Sequence, residues 1–586
     1  MAATGCRQPP PPAPVAAAEP TQAELDQLLP LIAGSSKKLP AFLQAVHQPV
    51  WVGLRRSGAL VGQAWGEGPG SWGDNLQLAL SQARPGAGTV ESVDVCLCHS
   101  SQPLLTGRKT LDNLEIARGV LGLELSIPDH WLGPSRHVRY APIPMVSENQ
   151  TFEAAASTFV HRSPRDRLAL PGDLTVGVFS AYQAEVFLTA PRAVSPLYRA
   201  HSTDAPGDLS GLLAGLRRYL LHSVGREGTF AYLYSPGKDE VSFRGQLLVR
   251  PMLALWALGQ MALDPQAVKV YRRAAESALR RYFRRERALG YTLDEQGEAC
   301  LGDLSVLGLA LLEGPDRSRH NSEIAALRDT VLHLQQSSGA FQTYLKPASK
   351  TVGVDYYPGE ALVFLAALYE HKQQPALRIA IMKAFRYYRN WFSLERNRHP
   401  AFIPWQTQAY VRLWRFTHDP ELRNFIFEMN DDLLSMQQWE GAAYPDFRGQ
   451  FWKPERLDYG RLPHVSSTGV YLESLALARQ LAGPGSRRQA YSLALERGFA
   501  SVSRHQFRTR ADLYYALKPE VVRGGLRSTM FDSRIRIDSV AENWMAGRAA
   551  HSPPSPPPSP PPPSPLLLPP ESSLSARGLS PSVVIP

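Results

Sequence analysis

At 586 residues the chain is long enough for two or three domains, each with its own core, and a hydrophobic fraction of 44% excludes wholesale disorder. Net charge is +10, but Lys and Arg are interspersed with Asp and Glu. The densest basic run, Arg280, Arg281, Arg284, Arg285 and Arg287, closes an expected helix, so it reads as a solvated face that complements the helix dipole. No nucleic-acid partner is expected, and no apolar stretch is long enough to span a membrane.

Residues 1–20 are Pro/Ala-rich and read as a disordered leader. Within it, Ala3-Thr4-Gly5-Cys6 looks like the end of a bacterial lipoprotein signal. A start upstream of Cys6 would make the protein a cell-envelope or periplasmic lipoprotein; otherwise a cytoplasmic location is expected.

Residues 21–205 read as a mixed α/β domain. QAELDQLLPLIAGSS suggests a helix, VWVGLRRSGALVGQAWG two strands around an Arg-Ser-Gly turn, and NLQLALSQAR a second helix. VESVDVCLCHS and LGLELSI are strands by alternation, and GDLTVGVFSAYQAEVFL suggests two more. Cys96 and Cys98 share one face of their strand, and with Cys6 and Cys300 they form no metal-ligand spacing. Neither a metal nor a disulfide framework is expected. The order of hairpin, helix and strand resembles the AMMECR family of small α+β domains. That family's Arg-Gly-Cys-Ile-Gly segment is replaced here by Leu60-Val61-Gly62-Gln63-Ala64, so none of its residues carries over.

From residue 206 to 546 the texture is of amphipathic helices. Twelve are expected, near 208–222, 244–263, 266–286, 303–313, 321–337, 357–371, 374–391, 405–417, 420–438, 467–482, 487–505 and 534–546. They fall into six pairs. First members are charged, as in VYRRAAESALRRYFRRER, and second members are rich in Ala, Leu and Gly, as in LSVLGLALL. A two-layer ring accounts for this, with small-residue helices inside and charged ones outside. Linkers repeat as well: Gly228-Thr229-Phe230, Gly339-Ala340-Phe341 and Gly441-Ala442-Ala443-Tyr444 each follow a first member. A glycine to stop the helix and an aromatic to pack the returning loop suits such a hairpin. Residues 547–586, with SPPSPPPSPPPPSP, read as a disordered extended tail.

In a ring, the loops entering the inner helices gather at one end, and here they are polar. They contain Arg244-Gly-Gln246 with Arg250, then Asp303, then Asp355-Tyr356-Tyr357-Pro358-Gly359-Glu360. Trp405-Gln406, Ser466 through Glu473 and Arg534-Ile-Arg536-Ile-Asp538 follow. Glu360 reads either as a helix cap or as a general acid or base tuned by burial and by neighbouring tyrosines. Arg250 in an apolar helix suits clamping of a carboxylate. Trp405 is either core or a stacking platform for a sugar. Asp446 and Arg448 form either a turn ion pair or a substrate contact. No phosphate-binding glycine loop, Gly-x-Ser-x-Gly turn or His-x-x-x-His pair occurs, and no cofactor is expected.

With GTFAYLY followed by RGQLLVRPMLALWAL, the helical region resembles the six-hairpin glycosidase-like superfamily, nearest the C-terminal domain of glucuronyl epimerases. The expected fold is thus multidomain α+β, a small mixed α/β domain followed by an α/α toroid of six helical hairpins. The resemblance implies a carbohydrate partner, an acidic polysaccharide among the candidates. Together with the polar entries, it makes Glu360, Tyr357, Asp538, Glu473 and Asp303 candidates for proton transfer. Arg250, Tyr356, Trp405, Gln406, Asp446, Arg448, Tyr471 and Arg534 become candidates for substrate binding. A glycosidase, lyase or epimerase is the first functional reading; a non-catalytic glycan-binding or scaffold protein of polysaccharide export, or an interaction protein using the proline-rich tail, are the others.

Overall fold

In the computed structural model, residues 19–83, 88–104, 114–127, 136–160, 174–243, 247–452 and 462–551 are described. The leader up to residue 18, the entry Arg244–Gln246 and the tail from 552 lie outside them.

The N-terminal part is one sheet of eight strands in the order β2-β1-β3-β6-β4-β5, with β7 and then β8 added beside β6. The strands are β1 Val50–Arg56, β2 Ala59–Gly66, β3 Ser92–Leu104, β4 Leu121–Ile127, β5 Arg136–Tyr140, β6 Thr175–Phe187, β7 Ala193–Tyr198 and β8 His201–Ser202. Ser57 (φ 47°) and Gly58 (φ 80°) make the tight β1–β2 turn, the left-handed pair that a two-residue hairpin requires. Helix α1, Trp72–Ala83, packs on β1 and β2. One strand covers the segment expected to hold two. Gly177 and Ser180 make no turn within Thr175–Phe187, because β3 pairs along its length, absorbing one irregularity between Cys98 and Ser100. Conversely, the opening helix is two short ones, Gln22–Leu25 and Leu28–Ile32.

Twelve long helices follow, each overlapping its expected counterpart. The outer ones are α2 Leu209–His222, α4 Pro265–Tyr282, α6 Asn321–His333, α8 Pro375–Phe392, α10 Pro420–Leu434 and α12 Ser486–His505. The inner ones are α3 Val249–Gly259, α5 Leu301–Leu312, α7 Tyr357–His371, α9 Phe402–Thr417, α11 Val465–Leu481 and α13 Ile537–His551. Outer α4 buries a stripe that includes Ala267, Val270, Tyr271, Ala274 and Ala278; inner α5 buries every residue. Each inner helix packs against the next, and α13 packs against α3, so the ring is closed. Close approach at these seams depends on glycine: a Cβ at Gly308 would lie 2.5 Å from Phe364, at Gly359 2.5 Å from Trp405, and at Gly469 2.7 Å from Asn543. Small residues on the inner helices are thus a condition of closure.

A recurring glycine ties the outer layer together. Gly228, Gly339, Gly449 and Gly524 all have positive φ, between 77° and 99°. Each lies where a Cβ would come within 2.4 Å of a carbonyl oxygen on the next outer helix: Arg273 of α4, Lys383 of α8, Arg497 of α12 and, closing the circle, Gly215 of α2. Beside them run the bridges Val224–Phe230, Gln335–Phe341, Gln437–Phe451 and Gln506–Leu526. The third copy is therefore Gly449-Gln450-Phe451, not the expected Gly441 to Tyr444. The latter stretch is an insertion, and its turn Pro445–Phe447 packs under the sheet beside Phe531.

Two buried arginines staple sheet to ring. Arg199 donates to Asp446 at 2.7 Å and to the carbonyls of Ile116 and Arg118, with its guanidinium 4.4 Å from the centre of the Tyr444 ring. Arg55 pairs with Asp94 at 2.7 Å and lies 5.2 Å from the centre of the Tyr514 ring.

Candidate active site

All six inner helices run the same way, so their first turns form one mouth of the ring. Asp303 (α5), Glu360 (α7), and Asp538 and Glu542 (α13) gather at this end, only 2–6% exposed, with Asp303 and Glu542 both near enough to act on Glu360. In a ring of six, α7 and α13 stand opposite, so Glu360 and Glu542 approach from facing walls. Gly302 lets Glu360 reach its place: a Cβ there would come 2.2 Å from Glu360 Oε2 and 2.4 Å from Tyr357. Around the carboxyls stand half-buried Arg250, Tyr356, His464, Ser466 and Arg536. Arg250 and Arg536 both pair with Asp538, the former at 3.6 Å. Arg536 also meets His464 Nε2 at 2.9 Å, and Ser466 donates its hydroxyl to Glu542.

The electrostatics follow from burial. A carboxyl removed from water resists ionisation, and each neighbouring carboxyl adds to that resistance. Burial pushes Asp303 up to about 7, and burial plus Asp538 pushes Glu542 up to about 8. Burial first, then Asp303 and Glu542, hold Glu360 well above the ordinary carboxylate range. Its Oε2 has no hydrogen-bond partner among the described residues. Burial and then Arg536 depress His464, which stays neutral. The mouth thus combines protonated carboxyls near neutral pH with Asp538, which pairs with two guanidinium groups. That combination suits proton donation and acceptance. Among the described residues no group of three or more His, Cys, Asp or Glu is placed to hold a metal ion.

The remaining expected residues divide by position. Tyr357 is buried edge-on to Tyr356 and Tyr344. Gln406, 1% exposed, has no partner among the described residues for either side-chain polar atom and lies beside Gly359. Trp405 stacks on Trp256 with ring centres 6.5 Å apart. Because α3 and α9 are opposite, that pair crosses the ring axis as a floor. Tyr471 is buried against Phe451, and burial first, then Glu542, raises its phenol. Glu473 lies beyond the floor, at the opposite mouth with Gln408. Asp446 belongs to the Arg199 staple, Arg448 is exposed, and Arg534 pairs with Asp532. Sequence reasoning missed Glu542 and His464. Glu542 was legible as a carboxylate four residues after Asp538, on the same face of an otherwise small-residue helix.

No protein-family model and no curated protein sequence matches the chain. Several solved structures are similar in chain path. An inactive variant of the α-1,6-mannanase GH76A of Salegentibacter sp. HEL1_6, in complex with α-1,6-mannotriose, is 12% identical; the match covers 58% of this chain and 99% of that one, with a TM-score of 0.40. An unsaturated glucuronyl hydrolase specific for heparin is 10% identical over 58% of this chain and 97% of that one, with a TM-score of 0.41. A sugar epimerase from a ruminal bacterium is 9% identical over 49% and 86%, with a TM-score of 0.38.

Proposed function

We propose that the protein is a carbohydrate-active enzyme that works on a poly- or oligosaccharide by acid–base chemistry in this mouth. The reading rests on one observation: buried carboxyls from α5, α7 and α13 converge inside a closed ring, with a guanidinium-clamped carboxylate beside them. Glu360, kept protonated by burial and by Asp303, is the general acid toward a glycosidic or ring oxygen. Asp538 is the acceptor facing it, and Glu542 keeps a second proton within the same wall. Arg250 and Arg536 border the opening and would hold an acid group on the sugar, which favours an acidic saccharide. Tyr356 and Gln406 supply further hydrogen-bonding groups. Hydrolysis, elimination and epimerisation all draw on this donor–acceptor set, and glycan structure decides among them.

A glycan array probed with the full chain identifies the saccharide, and incubation of that saccharide with wild type and Glu360→Gln tests the role. Turnover by wild type that falls by about 10²- to 10⁴-fold in the variant supports the proposal. Equal glycan capture by both proteins with no product from either makes the mouth a binding site instead.

A further inference from the structure

The inner helices open at their C-terminal ends into a second cavity of about 640 Å³, with Trp256 of the floor in its wall. All six inner helices contribute to it. Part of its polarity is structural. Glu313 accepts from Trp256 Nε1 at 2.8 Å and pairs with Arg412 at 2.7 Å; Arg412 also pairs with Glu370, which reaches Arg415 at 3.8 Å. This lattice locks the ends of α5, α7 and α9 together and is explained by that alone.

Two groups are left over. Glu473 of α11, 8% exposed, lines the cavity with one long hydrogen bond, from Gln408 at 3.3 Å. Burial pushes it up to about 7, so it offers a proton as readily as a lone pair. Gln260, at the end of α3, gives its amide N–H to Glu313 but leaves its buried carbonyl oxygen without a partner among the described residues. Burying polar groups with so little compensation costs stability, and packing the inner helices did not require them. Above them, exposed Arg548 stands at the rim, close enough to act electrostatically on Glu473. His371 in the same wall is depressed by burial and by Arg317 and carries no charge.

We propose that this cavity is a second ligand site, separate from the carboxyl mouth, taking a small saccharide that carries one acid group, either a uronate or a sugar phosphate. The volume falls within the range in which clefts enclose a compact ligand. Four arginines (Arg317, Arg412, Arg415, Arg548) line it against three glutamates (Glu313, Glu370, Glu473), an excess of one positive charge with all three ionised and of two when Glu473 holds its proton. Guanidinium forks at the rim match a carboxylate or phosphate, while Glu473 and Gln260 offer a donor and an acceptor to neighbouring hydroxyls. Half-buried Leu477 offers apolar surface that a sugar ring's C–H face covers. The proposal does not depend on catalysis at the other mouth.

Titration calorimetry of the full chain with glucuronate, glucose 6-phosphate and glucose tests it. At least one acidic hexose binds and glucose does not; Arg548→Ala weakens binding about tenfold, as expected for a lost charge-assisted hydrogen bond, while Glu360→Gln leaves it unchanged. Gln260→Leu, which keeps side-chain bulk, weakens it too, with an unaltered melting temperature showing that the fold persists. Glucuronate against glucose 6-phosphate separates carboxylate from phosphate recognition. The proposal is overturned if neither acidic hexose binds or if glucose binds as tightly. It also falls if binding is lost in Glu360→Gln and kept in Arg548→Ala, since the ligand then occupies the other mouth.

Discussion

Glu542→Gln isolates the energetic consequence of burying carboxyls at the mouth. An ordinary glutamate titrates at 4.5, and burial next to Asp538 raises Glu542 to about 8. Below 4.5 the group is protonated in both folded and unfolded chains and costs nothing. Between the two values the unfolded chain releases the proton while the fold retains it, so stability falls as pH rises; above about 8 the penalty holds at its full size. At about 1.4 kcal/mol for each tenfold in the ionisation constant, that penalty is on the order of 5 kcal/mol. Glutamine keeps the shape and an oxygen for the Ser466 hydroxyl but does not titrate. Urea unfolding of both proteins at about pH 4.5 and about pH 9 should therefore show the variant gaining about 3–5 kcal/mol relative to wild type at the higher pH. Asp303 titrates in both chains and cancels from the comparison. Parallel profiles, with a difference constant within about 1 kcal/mol, would refute the assignment of a raised, buried carboxyl.

Other perturbations separate the parts of the molecule. Gly302→Ala drives a methyl into Glu360 and Tyr357; it should destabilise by about 1–3 kcal/mol and reduce turnover, which thermal melting and a rate assay would show. Asp446→Ala leaves Arg199 buried without its carboxylate and should cost about 3–5 kcal/mol in urea unfolding, with no change in glycan affinity. Gly339→Ala places a side chain at φ 99° and against the Lys383 carbonyl, so it should lower the melting temperature more than Gly297→Ala, where nothing lies within 4 Å.

The ring was legible because its two layers obey different rules. Outer helices such as α4 carry charge on one face, whereas inner helices such as α5 are buried all round, and that contrast survives without any alignment. Its closure is written in the inner glycines, although only the structure shows which neighbour each one admits. The linker repeat was legible at Gly228 and Gly339 and misread once, because the insertion at Gly441 to Arg448 carries its own glycine and aromatic ahead of the true copy. Site residues were harder. Entry loops announced Asp303, Glu360 and Asp538, but sequence spacing does not say which turn of an inner helix faces which mouth. Glu473 therefore joined the list from the far side of the Trp256–Trp405 floor, and Glu542, one turn deeper than expected, was passed over. Asp446 and Arg199 are 247 residues apart in sequence, and no local pattern links them.

The central claim is that a protonated carboxyl in the first mouth donates a proton to a saccharide. The pH dependence of turnover by wild type, on the saccharide that the glycan array identifies, tests it most directly. The account predicts activity sustained well above the pH at which an ordinary carboxyl ionises and falling on the alkaline side as Glu360 loses its proton, with Glu360→Gln inactive throughout. A rate that climbs steadily across that range, with Glu360→Gln as active as wild type, would contradict it.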